Sequence, residues 1–115
     1  MQRRFRLRQH TDFERLRREG RVYRHPVMML SVAPNGLLHN RYGFIVGKQV
    51  GNAVVRNHIK RLLREALRHF HPNLTPGFDF VFIARGAIVE QPLAHVQRTV
   101  SELCNRAGLV GKEMS

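Results

Sequence analysis

Residues 53–70 read AVVRNHIKRLLREALRHF and carry the strongest structural signal in the chain. Apolar side chains recur in this segment every three or four residues, which is the spacing of one face of an α-helix. They are Val55, Ile59, Leu62, Leu63, Ala66, Leu67 and Phe70. The sequence predicts that Asn52 caps the start of the helix. It also predicts that His71-Pro72 ends the helix, because a residue before proline is pushed out of the helical region.

The polar side of the same helix is almost purely cationic. Its charged residues are Arg56, Lys60, Arg61, Arg64 and Arg68, and Glu65 is its one acid. Like charges four residues apart on a helix repel each other, so a solvated surface usually alternates them with acids. In the turn that precedes the helix, Lys48 lies at a helix N-terminus, where free N–H groups favour anions. The pattern favours binding of a phosphate-rich polyanion.

The charge balance of the whole chain supports the same interpretation. The 115 residues, a length typical of one domain, carry 20 Lys and Arg against 8 Asp and Glu, a formal net charge of +12. Residues 1–24 hold nine Arg against three acids, residues 48–69 hold six cations against one acid, and residues 70–115 are balanced. Two basic blocks that flank an apolar middle are typical of two parts of one binding surface.

Several classes of protein are excluded by what the sequence lacks. No apolar run approaches the roughly 20 residues of a membrane span, and no apolar segment follows the basic N-terminus as in a secretory signal. A single cysteine, Cys104, rules out an internal disulfide and a cysteine-based metal site. No serine lies in a G-x-S-x-G elbow, and the carboxylates do not cluster. We therefore expect a cytoplasmic protein with no membrane partner, catalytic residue, metal site or bound cofactor of its own.

The remaining segments predict an α+β sandwich with elements in the order helix, strands, helix, strand, helix. Residues 1–9 are expected to be extended or disordered, and 111–115 to form a flexible tail. A capping box at Thr11 and Glu14 predicts a first helix that ends at Gly20. The predicted strands are 27–33 and 41–47, paired as an antiparallel hairpin, then 78–84 inside the sheet, with a weaker edge strand at 21–24. Pro92 opens a last helix that Gly108 closes.

Aromatic residues near the basic blocks are candidates for stacking on unpaired bases. Phe13 and Phe44 are predicted to be partly exposed platforms of this kind. Phe78, Phe80 and Phe82 alternate along one strand and are predicted to belong to the core. Basic groups beside aromatic rings are typical of proteins that bind single-stranded RNA.

Residues 51–65, GNAVVRNHIKRLLRE, closely resemble the signature helix of the bacterial ribonuclease P protein subunit. The similarity extends to Phe5-Arg6-Leu7, to Asp12-Phe13 and to residues 77–85, and so covers most of the chain. This resemblance implies a subunit of a holoenzyme that removes the 5′ leader of precursor tRNA. It implies that the RNA subunit performs the hydrolysis with Mg²⁺, and that the protein alone is inactive. It also implies four strands with a left-handed β-α-β crossover, an exception to the usual hand.

The resemblance also implies roles for individual residues. By the resemblance, contacts with the catalytic RNA would fall on Arg56, Asn57, Lys60, Arg61 and Arg64. To these the sequence prediction adds Lys48, Asn52, His58 and Arg68. The leader would run in a central cleft, to which the resemblance assigns Phe13. The sequence prediction places Arg17 and Phe44 in the same cleft. His58 stands where the family usually has a second Arg, and Arg17 and Ser31 stand at positions that are often aromatic. We therefore expect weaker stacking and relatively stronger electrostatic contacts with the leader.

The expected partners are the catalytic RNA and precursor tRNA, with no DNA. Two other functions stay open at the level of sequence: a ribosomal or other structural RNA-binding protein of similar fold, and a stand-alone ribonuclease. Fold alone does not separate these three functions. Cleavage assays with and without the RNA subunit distinguish them.

Overall fold

A computed structural model describes residues 2–111 of the chain and contains three helices around one four-stranded sheet. In chain order the elements are α1 (His10–Glu19), β1 (Arg21–Arg24), β2 (Met28–Pro34), β3 (Arg41–Ile45), α2 (Ala53–Phe70), β4 (Phe78–Ala84) and α3 (Leu93–Arg106). Short 3₁₀ turns lie at Arg3–Phe5, His71–Asn73 and Gly86–Glu90. The predicted α+β class and the order of elements are confirmed.

The strands follow the spatial order β1-β2-β4-β3. β2 pairs antiparallel with β1 and with β4, whereas β3 pairs parallel with β4. The predicted β2–β3 hairpin is therefore wrong, because β4 lies between the two strands. β4 is apolar on both faces and is buried best in the interior of the sheet, as predicted. The parallel pair β3 and β4 is joined through α2, and the hand of this crossover stays a prediction.

The two faces of the sheet are covered unequally. On one face Leu30, Phe80 and Phe82 pack with Leu63 of α2 and Leu103 of α3, and all five side chains are fully buried. On the other face α1 places Leu16 against Ala33 and Val81, with Leu7 in the same small cluster. With ten residues, α1 is only about 15 Å long, so it covers one end of this face and leaves the rest open.

A buried carboxylate fastens α1 to the sheet. Asp79 of β4 is fully buried, and Arg41 of β3 donates to both of its oxygens at 2.9 and 2.8 Å. Arg15 of α1 donates to the same carboxylate and also to the carbonyl oxygen of Pro34. Asn35 adds a further hydrogen bond of 3.0 Å. Because buried charges must be paired, these two arginines serve the fold.

Helix ends agree with the sequence at α2 and α3 but not at α1. The Asn52 side chain accepts a hydrogen bond from the Val55 N–H at 3.0 Å, α2 ends at Phe70, and Gly108 follows α3 with a positive φ of 72°. The predicted capping box at Thr11 and Glu14 is wrong. α1 begins at His10, and its N-cap is Gln9, two residues before the predicted cap at Thr11, with no side-chain hydrogen bond. The carboxylate of Glu14 instead pairs with Arg17 at 3.1 Å.

The segment before α1, expected to be extended or disordered over residues 1–9, lies against the sheet and is extended around Arg6 and Leu7. Residues 3–5 form a 3₁₀ turn, and Leu7 is buried. The Leu7 N–H donates to the carbonyl oxygen of Tyr42 at 2.8 Å, so the segment runs along the outer edge of β3. Residue 1 and residues 112–115, most of the predicted flexible tail, lie outside the described residues.

Candidate nucleic-acid interface

The outward side of α2 carries five cations and one asparagine, and it is named here the α2 cationic face. Its residues are Arg56, Asn57, Lys60, Arg61, Arg64 and Arg68. Asn57, Arg61 and Arg68 are exposed, whereas Arg56, Lys60 and Arg64 are half-buried. Long basic side chains commonly lay their aliphatic stems on apolar surface and keep the charged end in water. The helix thus presents its charged ends on the side opposite Ile59 and Leu63, which are buried in the core.

Most of the α2 cationic face has no acidic partner. Between residues 2 and 111, no carboxylate lies within salt-bridge distance, 4.0 Å, of Arg56, Lys60, Arg61 or Arg64. Arg68 differs, because it pairs with Glu65 at 3.1 Å on the exposed surface, where such pairs contribute little. The Arg56 Nε is buried and has no hydrogen-bond partner in this part of the chain. The charge of the face is therefore left for a partner to neutralise.

The turn before α2 packs one side chain into the core and exposes a charged one. Val50 is buried, and its N–H donates to the carbonyl oxygen of Gly47 at 3.1 Å, which holds Lys48 outward and exposed. The side-chain oxygen Oδ1 of Asn52 accepts from the Val55 N–H in the helix cap, so contact of this side chain with a partner falls to its NH₂ group. His58 is exposed in the first turns of α2.

The open end of the sheet, beside α1, forms a second surface, named here the face cleft. It is a depression of about 310 Å³. Its main lining residues are Phe13, Arg17, Val22, Met29, Ile45 and Ile83. Val22 and Ile45 stay 44% and 41% exposed, an unusual state for strand residues on a sheet face. The predicted pair Phe13 and Arg17 comes together here, beside an apolar floor.

The ring of Phe13 packs against the backbone of Gly43 in β3. A Cβ built on Gly43 of β3 would come within 2.8 Å of the Phe13 ring, so the absence of a side chain there lets the ring approach the backbone. Phe44, the next residue, points to the opposite face and stacks on Phe82 with 6.0 Å between ring centroids. Since successive strand residues alternate between faces, Phe44 does not lie on the face with Phe13, which corrects that placement.

A third surface lies along the outer edge of β3 and is named here the edge cleft. It has a volume of about 330 Å³. Its main lining residues are Arg6, Arg8, Phe13, Phe44, Lys60 and Arg64. Sequence reasoning missed Arg6 and Arg8 as candidate site residues. The alternation of apolar and charged residues in Phe5-Arg6-Leu7-Arg8 is the signal that indicates a strand-like segment there.

Among residues 2–111, the groups whose pKa values are shifted pack within the fold and do not gather around a reaction centre. Among residues 2–111 no group of three or more His, Cys, Asp or Glu could hold a metal ion. Burial, then the charges of Arg4 and His39, lower the pKa of His71. Burial raises the pKa of Tyr42, so its hydroxyl stays protonated, and it shares a hydrogen bond of 2.6 Å with His71 Nδ1. No helix within these residues is long and apolar enough to cross a bilayer.

The fold and its surfaces together define a class: a small basic α+β protein with an unneutralised helix face and an adjoining apolar cleft, suited to a polyanion that has exposed bases. The family model for ribonuclease P matches residues 1–108. The chain is 46% identical to the ribonuclease P protein component of Roseiflexus castenholzii over 111 residues, which are 96% of this chain and 91% of that protein.

Solved structures show the same similarity. The Staphylococcus aureus RNase P protein superimposes with a TM-score of 0.84 at 27% identity, over 92% of this chain and 97% of that one. The Thermotoga maritima RNase P protein gives 0.81 at 28% identity, over 88% and 96%. The chain belongs to the ribonuclease P protein family, whose members are protein subunits of an enzyme of tRNA processing.

Proposed function

We propose that the chain is a non-catalytic subunit that joins the catalytic RNA of ribonuclease P to the 5′ leader of precursor tRNA. The observation that carries this proposal is the α2 cationic face, where Arg56, Lys60, Arg61 and Arg64 lack acidic partners among residues 2–111 and only Arg68 pairs, with Glu65. Cations placed against phosphates release the counterions of the RNA, and this release favours binding. The holoenzyme cleaves the leader from the mature 5′ end of the tRNA.

The residues divide between the two RNA ligands. Those assigned to the catalytic RNA are Lys48, Asn52, Arg56, Asn57, His58, Lys60, Arg61, Arg64 and Arg68. Phe13 and Arg17 are assigned to the leader, because they line the face cleft, where an unpaired base can stack on the ring. Phe44 reaches RNA only from the edge cleft, since its ring belongs to the opposite face of the sheet.

The chemistry is assigned to the RNA subunit. Asp79 is enclosed by Arg15, Arg41 and Asn35, and Asp12 pairs with Arg41 at 3.3 Å, so these carboxylates are already neutralised within the fold. The chain's own residues thus do not fit a Mg²⁺ site, and we assign the Mg²⁺ to the RNA. The protein lowers the repulsion between two RNA backbones, which reduces the concentration of Mg²⁺ that the reaction needs.

A cytoplasmic location fits the single cysteine. Cys104 is fully buried in α3, and burial raises the pKa of its thiol to about 12. The thiolate is the reactive form, so this thiol is protected from oxidation and metal binding.

Reconstitution tests the proposed function. Precursor tRNA is incubated with the purified chain, with the catalytic RNA, and with both, across a series of Mg²⁺ concentrations. The expected result is no cleavage by the chain alone, and cleavage by the mixture at Mg²⁺ concentrations where the RNA alone is slow. Cleavage by the chain alone would indicate a stand-alone ribonuclease. An unchanged Mg²⁺ requirement in the mixture would favour a structural RNA-binding protein.

A further inference from the structure

We infer that the edge cleft binds phosphates of the single-stranded leader, and that Arg6 and Arg8 are the residues that contact them. This inference rests on the proposed function, because it requires a substrate with a 5′ leader. It assigns a role to the segment before α1, which lies outside the α2 cationic face and the face cleft.

The segment is held in place by the sheet. Leu7 is buried beneath α1, and its N–H donates to the carbonyl oxygen of Tyr42 at 2.8 Å. Arg6 forms a parallel bridge with the same residue. In an extended segment, side chains two residues apart point to the same side. The burial of Leu7 therefore leaves Arg6 and Arg8 exposed together, and both line the edge cleft.

The edge cleft carries four positive charges and no lining acid. Lys60 and Arg64 of α2 line the same cleft as Arg6 and Arg8. No carboxylate among residues 2–111 lies within salt-bridge distance of any of the four. Four unpaired cations around about 330 Å³ repel one another unless an anion enters. Phosphate is the anion that an RNA partner supplies.

The shape of the cleft favours an unpaired strand over a duplex. The space is concave and bordered by two rings, Phe13 and Phe44. Aromatic rings beside a cationic groove hold single-stranded nucleic acid by stacking on its bases, whereas paired bases present no free ring face. The leader is the unpaired segment that precursor tRNA has and mature tRNA lacks.

The position of Phe13 links this cleft to the face cleft. Its ring lines both depressions, on the two sides of the edge of β3. A strand that lies in the face cleft beside Arg17 can therefore cross Phe13 and continue between Arg6, Arg8 and the wall of α2. This continuity is the reason for assigning Arg6 and Arg8 to the leader, whereas Lys60 and Arg64, on the α2 side of the cleft, stay assigned to the catalytic RNA.

The test is the affinity of the reconstituted holoenzyme, made with an Arg6→Ala/Arg8→Ala protein, for precursor tRNA with a leader of about ten nucleotides and for mature tRNA. We expect roughly a tenfold loss for the precursor and no change for mature tRNA. In a plot of log affinity against log salt, loss of two contacts with single-stranded phosphates should make the negative slope shallower by about 1.4. Shortening the leader should reduce the difference between variant and wild type.

Two controls isolate the edge cleft. Arg98→Glu lowers the net charge by the same two units at an exposed site on α3, and should leave both affinities unchanged. Arg6→Lys/Arg8→Lys keeps the charge and should restore most of the binding. An equal loss for precursor and mature tRNA, or no loss for either, would overturn the inference. If Phe13→Ala weakens only precursor binding while the double variant has no effect, the proposed function stands and this inference fails.

Discussion

Replacing the buried carboxylate of Asp79 by an amide tests how α1 is held on the sheet. In Asp79→Asn, Arg15 and Arg41 keep their charges but lose the anion between them. Removing one partner of a buried ion pair costs about 3–5 kcal/mol. The side chains of Arg15 and Arg41 are 25% and 23% exposed, so water can partly solvate the released guanidinium groups. The new amide also keeps one acceptor, and we expect a loss of about 2–3 kcal/mol.

Denaturant and thermal unfolding measure this loss. In a domain of this size a change of 1 kcal/mol shifts Tm by roughly 4 °C, so Tm should fall by about 8–12 °C. The urea midpoint should fall while the slope with denaturant stays constant, because the surface exposed on unfolding is unchanged. Glu14→Gln is the matched control, since it breaks the exposed pair with Arg17, and should cost less than about 0.5 kcal/mol.

The outcome that contradicts this reasoning is an Asp79→Asn protein within about 0.5 kcal/mol of wild type. The apolar contacts of Leu16 with Ala33 and Val81 would then hold α1 without help from the buried charge cluster. The position of Phe13 would also not depend on that cluster.

Three further predictions concern single residues. Gly43→Ala places a Cβ within 2.8 Å of the Phe13 ring, so it should weaken holoenzyme binding of precursor tRNA several-fold, and equal binding of wild type and variant would contradict this. The pKa of His71 is lowered in the folded state, so below about pH 6.5 this residue binds more protons in the unfolded chain than in the folded one. The free energy of unfolding should therefore fall as the pH drops below about 6.5. His71→Gln should flatten that fall in urea unfolding measured from pH 7 to 5, and an unchanged pH dependence would place its cause elsewhere. The Cys104 thiol, with a pKa of about 12, should react with a thiol reagent at pH 8 only on unfolding, and rapid labelling of the native protein would refute its burial.

The elements that could be predicted best from the sequence are those whose pattern lies within a short stretch of neighbouring residues. The apolar period of α2, the Asn52 cap and the doubly apolar strand β4 are each visible within a short window, and all three are confirmed. The cationic face follows directly from the same period, because residues of one helix share a face at fixed spacing.

Long-range pairing was not visible in the sequence. β2 and β3 are neighbours along the chain, but in the sheet they are separated by β4. β4 begins more than thirty residues after the end of β3. The alternation Phe5-Arg6-Leu7-Arg8 is a strand signal of only four residues, and its pairing with the outer edge of β3 is a long-range contact that the sequence does not reveal. Phe44 was misplaced because its face depends on the register of β3 against β4, where it lies opposite Phe82.

The salt dependence of binding between the chain and the catalytic RNA alone tests most directly whether the α2 cationic face contacts RNA. Arg61 is exposed and has no acidic partner among residues 2–111, and Arg98 of α3 is an exposed cation outside that face. In a plot of log affinity against log salt we expect a steep slope for wild type, equivalent to roughly five to eight phosphate contacts. The Arg61→Ala variant should have a negative slope that is shallower by about one, and the Arg98→Ala variant should have the wild-type slope. Equal slopes for wild type and Arg61→Ala would contradict the assignment of this helix face to RNA.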